Sequence, residues 1–193
     1  MLQLPHVAPL TDFARSLRSR AHCEVPDFDP ADGGINARML FLFEKPGPMT
    51  AVAAGARRAG SGFISRDNDD LTASATFNFM MDAKIPRRTT VLWNLIPWWN
   101  GTRGLTRSEI TDGLSALRQL LVLLPDVRGI VLVGKTASKA QGELAALPVS
   151  VHASRHPSPL VRARWPDQWA AIPSVWAAAY AKVEESADRR SLR

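Results

Sequence analysis

Cysteine is nearly absent: Cys23 is the only one in the 193 residues. A single thiol excludes an internal disulfide, and it excludes a four-cysteine zinc or iron–sulfur site. Long apolar runs are missing as well. Stretches such as LLVLL and VLVG fall far short of the ~20 residues that a membrane-spanning helix requires. The opening segment MLQLPHVAPLTDFARS has Pro and His where a secretory signal carries its apolar run. The expectation is therefore a cytoplasmic protein with no membrane association. Acidic residues are the minority, 18 against 24 Lys and Arg, for a formal net charge of +6. Such a balance serves either solubility or a polyanionic partner such as nucleic acid. With 46% hydrophobic residues, the chain has the composition and length of one domain, residues 1–193, with a full core.

Four short runs read as strands: ARMLFLFE (37–44), TTVLWNL (89–95), GIVLVG (129–134) and VSVHAS (149–154). Helical patterns separate them, at Leu71 to Asp82, Thr106 to Leu124 and Ser138 to Leu147, with a last helix from Ser174 to Glu185. The Thr106 helix opens with T-R-S-E, a capping box in which Thr106 and Glu109 satisfy each other's backbone amides. Ile110, Leu114, Leu117, Leu121 and Leu124 follow at helical spacing and predict its buried stripe. Apolar strands alternating with helices predict a three-layer αβα sandwich around a central four-stranded parallel sheet. No repeat or interdomain linker is visible, and the tail 186–193 is expected to fray.

Ligands of an open parallel sheet bind beyond the carboxyl ends of its strands. Glu44, Pro46 and Gly47 follow the first strand and Asn94 closes the second. Gly134-Lys135-Thr136 follows the third, and His156 the fourth. A carboxylate, an amide, a Gly-Lys turn and an imidazole would converge there. The stretch GIVLVGKT (129–136) also fits the phosphate-loop pattern G-x-x-x-x-G-K-[ST]. However, Ile130 to Val133 read as a buried strand, whose amides are committed to neighbouring strands and cannot wrap a phosphate. What remains is a Gly-Lys turn able to offer amides and a cation to a single phosphate.

Together these segments resemble the uracil-DNA glycosylase superfamily. HPSPL (156–160) is identical to the second signature motif of the family 1 enzymes. FEKPG (43–47) resembles the GEAPG form of the first motif in other branches. GSGFISRDN (60–68) is similar to the segment whose phenylalanine stacks on the flipped base. VLWNLIP (91–97) resembles the strand whose closing asparagine reads uracil, and GKTASK (134–139) the Gly-Ser turn that grips the DNA backbone. The resemblance covers roughly residues 35–165 in the family's order. Departures are local. Where family 1 has GQDPYH, Lys45 takes the Asp position and Gly47 the Tyr position, and that Tyr is the side chain that excludes thymine's methyl group.

The resemblance implies a monomeric, monofunctional DNA-repair enzyme of the nucleoid that flips uracil out of DNA and leaves an abasic site, without metal or organic cofactor. Its implied catalytic residues are His156 and a carboxylate, either Glu44 or one of Asp67, Asp69 and Asp70. Phe63, Asn94, Pro46 and Gly47 would hold the base. Gly134, Lys135, Ser158, Leu160 and Arg162 would hold the DNA, with Leu160 wedged into the vacated stack. A different role for Lys45, attack on the sugar to give a lyase, is open at this level. So are a non-catalytic binder of abasic sites and a glycosylase for hypoxanthine or mismatched thymine.

Overall fold

The computed structural model describes residues 1–21, 24–47, 50 and 60–191; Cys23 lies outside them. In chain order the elements are helix α1 (Ala8–Ala21), strands β1 (Asp27–Phe28), β2 (Met39–Phe43) and β3 (Phe63–Ile64), helix α2 (Leu71–Asp82), strand β4 (Thr90–Asn94), helix α3 (Arg107–Val122), strand β5 (Gly129–Val133), helix α4 (Gln141–Leu144), strand β6 (Ser150–Ser154), and helices α5 (Pro159–Arg164), α6 (Pro166–Ala170) and α7 (Ile172–Ser191).

The four predicted strands form one parallel sheet in the order β4-β2-β5-β6. Every residue of β2, β4 and β5 is buried, and only β6, at an edge, is half open. Apolar side chains on both strand faces require cover on both, which explains their unbroken hydrophobic runs. Helices flank the sheet. On one side α7 packs on β5, β6 and α2, with Trp176 edge-on to Phe41 at 4.9 Å and to Phe79 at 6.0 Å. The chain runs from β2 outward to β4 and then back across β2 to β5, and right-handed crossovers place α3 on the opposite face. Gly113 lets α3 approach closely: a Cβ there would sit 2.2 Å from the carbonyl oxygen of Leu95.

The predicted α/β architecture is thus observed, with corrections in detail. The Thr106 capping box forms as expected. The buried stripe of α3, however, runs through Gly113, Ala116, Leu117 and Leu120, not through Ile110, Leu114 and Leu121, which are only partly covered. The helix predicted from Ser138 is a 3-10 turn at Ala137–Ala140 followed by the short α4. The last helix begins earlier than predicted and continues to Ser191, into the stretch expected to fray. Helix α1 and the two-stranded β1–β3 ribbon were not expected. Among the described residues no helix is long and apolar enough to cross a membrane.

Asp29, Asp32, Asp67, Arg66 and Arg87 form an ionic cluster, buried at Asp29, Asp32 and Arg66 and open at Asp67. Arg87 donates to Asp29 (2.6 Å), Asp32 (3.0 Å) and Asp67 (2.7 Å). Arg66, with its side chain 4% exposed, reaches Asp32 at 3.4 Å and Thr90. Burial outweighs the attraction of the arginines and pushes Asp32 up to about 7. The cluster ties the segment after β1, the segment after β3 and the start of β4 together, and so holds α2 against the end of the sheet.

Candidate active site

Four strand ends open into one cavity of about 830 Å³. Asn94 is the last residue of β4 and only 4% exposed. Glu44 directly follows β2, whose Phe43 pairs in register with Asn94, so carboxylate and carboxamide sit on adjacent strand ends. Gly134 follows β5 and hydrogen-bonds through its amide to the Ser154 carbonyl at 2.9 Å. His156 lies just beyond β6. All four line the cavity, joined by Pro46, Gly47, Lys135, Ser158 and Leu160. Among the described residues no group hydrogen-bonds the Asn94 carboxamide, which leaves its donor and acceptor to the cavity.

Each side chain is held by its neighbours. Thr136, 7% exposed, donates its hydroxyl hydrogen to Glu44 Oε2. His156 stands edge-on to Phe43 at 5.8 Å. Gly134 adopts φ +92°, and a Cβ there would come within 3.2 Å of His156 Cβ, so only glycine fits both the turn and the imidazole. Burial lowers the pKa of His156; Glu44 and Asp70 pull it back up, Arg103 pushes it down, and burial wins. The imidazole is therefore neutral near pH 7, with one nitrogen donating and one accepting.

HPSPL is more than a loop. Ser158 is the N-cap of α5, its Oγ accepting from the Val161 amide, and Pro159 occupies the first helical turn. Leu160 follows on that turn and is 72% exposed, a large apolar side chain held out at the cavity rim.

Lys45 lies on the cavity lining, but its ammonium is turned to partners outside it. Its side chain is 3% exposed, and Nζ donates to Glu109 Oε1 (2.7 Å), Asn100 Oδ1 (2.8 Å) and the Gly104 carbonyl (3.3 Å). Three acceptors satisfy all three ammonium protons, which leaves no free amine to attack a sugar. Burial pushes Glu109 up, but hydrogen bonds from Lys45 and Thr106, with the lysine's charge, carry its carboxyl below the ordinary value.

Other expected residues are placed differently. Phe63 pairs with Asp27 in the β1–β3 ribbon, and it is Ile64, its neighbour, that lines the cavity. Arg162 lies off the cavity wall, with its guanidinium 5.0 Å from the Trp169 ring centroid. Asp67 is bound to Arg87, whereas Asp69 and Asp70 do line the cavity. Asp70 is already engaged as the N-cap of α2, accepting from the amides of Thr72 and Ala73. Among the wall residues that no motif singled out are Arg103, in the loop between β4 and α3, and Thr76 of α2. Among the described residues no three His, Cys, Asp or Glu side chains cluster so as to hold a metal ion.

The model of the Uracil DNA glycosylase superfamily matches residues 30–178, well over half of the chain and every strand end that lines the cavity. No curated protein matches the chain. With its parallel sheet and the cavity at the carboxyl ends of the strands, the chain belongs to the uracil DNA glycosylase superfamily, as a DNA-binding glycosylase of DNA repair.

Proposed function

We propose that the protein hydrolyses the N-glycosidic bond of uracil in DNA, acting as a monomer and leaving an abasic site. The observation that carries this reading is the buried Asn94 carboxamide, unpartnered among the described residues, in one cavity with Glu44 and His156. Excision inside a duplex requires the nucleotide to leave the stack. Leu160 fills the space it vacates, while Ser158 and the Gly134–Lys135 turn hold the flanking phosphates. In a fixed orientation, Asn94 donates to uracil O4 and accepts from N3–H; cytosine offers the reverse pattern and leaves buried polar groups unpaired. Pro46 and Gly47 close the base pocket, with Ile64 on its wall in place of Phe63.

Bond breaking leaves positive charge on the sugar and negative charge on the departing base. Neutral His156 donates a hydrogen bond to O2 as that charge grows, an effect worth about 3 kcal/mol for a preorganised donor. Glu44 orients the attacking water and offsets the sugar's charge. Held by Thr136 on the strand end next to Asn94, it is better placed for this task than Asp67, which lies off the cavity wall against Arg87, or than Asp69 and Asp70, the second of which caps α2.

A broader base preference is favoured by one observation. Apart from its chain neighbours, no atom of the described residues lies within 4 Å of where a Cβ on Gly47 would sit, and Gly47 brings no side chain to the position whose tyrosine excludes thymine's methyl group in family 1. Single-turnover excision from oligonucleotides carrying uracil, hypoxanthine or a T·G mismatch, with wild type and Glu44→Gln, tests both readings. Rapid uracil release that collapses in the variant is the expected result. Release of thymine or hypoxanthine at a comparable rate would establish the broader preference. Silence on all three bases, with tight binding of an abasic site, would make the protein a lesion binder.

A further inference from the structure

Beyond the cavity rim, three arginines lie against two indole rings. The Arg155 guanidinium carbon is 5.2 Å from the Trp165 ring centroid and that of Arg164 is 4.9 Å from it. Arg162 lies 5.0 Å from the ring of Trp169. Trp169 is itself braced by Phe79 of α2, edge-on at 4.6 Å, so the arrangement rests on the sheet-covering layer. Cation–π contact of this kind holds a guanidinium without neutralising it. Among the described residues none of the three arginines pairs with a carboxylate; the arginines that do are elsewhere, at positions 15, 18, 38, 66, 87, 118 and 128. Asp167, close by in sequence, is bonded to none of them.

The position of this ledge matters as much as its charge. Arg155 immediately precedes His156. Arg164 follows Leu160 by one helical turn of α5, so cation and apolar wedge project from the same face of that helix. Whatever Leu160 enters lies beside Arg164. An arginine usually has many rotamers, and ordering one costs about 2 kcal/mol. Here the indoles have already met part of that cost, with the charge left exposed.

We propose that Arg155 and Arg164, ordered on Trp165, form a phosphate-binding ledge that grips the DNA backbone flanking the flipped nucleotide. Arg162, two residues from Leu160 on α5, is turned to the other side, onto Trp169. This rests on the proposed glycosylase function and extends the DNA contact from the cavity rim along α5. The indole of Trp165 acts by positioning: it carries no charge and need not touch the DNA.

The test is the salt dependence of binding to a uracil-containing duplex, measured by fluorescence anisotropy. Each phosphate contact contributes about 0.9 to the slope of log K against log salt on duplex DNA. Arg155→Gln and Arg164→Gln are each expected to lower the slope by about that amount. Arg118→Gln, which removes an exposed α3 charge paired with Glu143, should leave it unchanged. Trp165→Leu removes no charge, yet is expected to weaken binding severalfold at constant salt. Unchanged slopes in both arginine variants would overturn the ledge, and circular dichroism would show that they are folded. Reduced slopes with full affinity in Trp165→Leu would overturn the positioning role of the indole. Failure of the glycosylase reading is distinguishable, because wild type would then release no uracil, whereas failure of the ledge alone leaves uracil release intact.

Discussion

Thr136 and Glu44 stand 92 residues apart in sequence, and the hydroxyl of one donates directly to the carboxylate of the other. The contact gives the strand-closing GKT a use unlike that of a phosphate loop, where the threonine would face a nucleotide's metal ion. Here the turn after β5 fixes the carboxylate that follows β2. A hydrogen bond to a charged group is worth about 1.5–3 kcal/mol, and most of that is at stake if Glu44 must hold one rotamer to aim a water.

Thr136→Val is therefore expected to slow single-turnover excision by about ten- to a hundredfold. Thr136→Ser, which keeps the donor, should recover most of the rate. A valine variant as fast as wild type would show that Glu44 needs no positioning. A serine variant as slow as valine would assign the loss to packing of the threonine methyl group.

The lowered pKa of His156 sets the sign of a pH effect. Its folded-state value lies below the ordinary 6.5, so the imidazole stays neutral as pH falls through 6.5 and gains a proton only below that. Stability linked to this group is full above pH 6.5, where both folded and unfolded forms are neutral, and is lost as pH drops, because the unfolded chain takes up the proton first. The acid limb of the excision rate that belongs to His156 is expected below pH 6.5. A limb at or above that value, absent in His156→Asn, would contradict the role of burial.

Lys45→Met should destabilise the fold by about 3 kcal/mol at pH 7, since it leaves the Glu109 carboxylate without the cation at its largely covered site. Glu109 has a depressed pKa; its contribution is full above the unfolded value of 4.5 and disappears as pH falls through the lower folded value. The gap between wild type and variant in urea unfolding is thus expected to narrow in acid. A gap independent of pH would mean that lysine packing, not charge, supplies the stability.

The legible parts of this molecule are those in which residues close in sequence act together. Strands β2, β4 and β5 show themselves as unbroken apolar runs, and the Thr106–Glu109 capping box is a local motif. Helix α1 has Leu10, Ala14 and Leu17 at helical spacing, with Val7 just before it, all buried, but Pro9 in its first turn breaks the helical reading. The β1–β3 ribbon joins two-residue segments too short for any period. In the site, the residues at the strand ends could be named because parallel-sheet topology gathers such ends. The partners could not. Lys45 with Glu109, Thr136 with Glu44 and Arg87 with Asp29 are meetings across long loops that leave no trace in spacing. Phe63 and Ile64 show the finer limit: adjacent strand residues point to opposite faces, and only the pairing with β1 decides which one reaches the cavity.

The Lys45 anchor also constrains how this chain could change. Replacing Lys45 with aspartate, to match the first motif of family 1, would set a second carboxylate against Glu109 in a nearly closed space and leave Asn100 and the Gly104 carbonyl without their donor. The intermediate would be less stable than either starting point or destination, unless position 109 changed at the same time. In this chain the first motif is thus tied to the residue at position 109. The tie is built from the loop that carries Asn100 and the cap of α3, and it lies outside the pocket where the chemistry takes place.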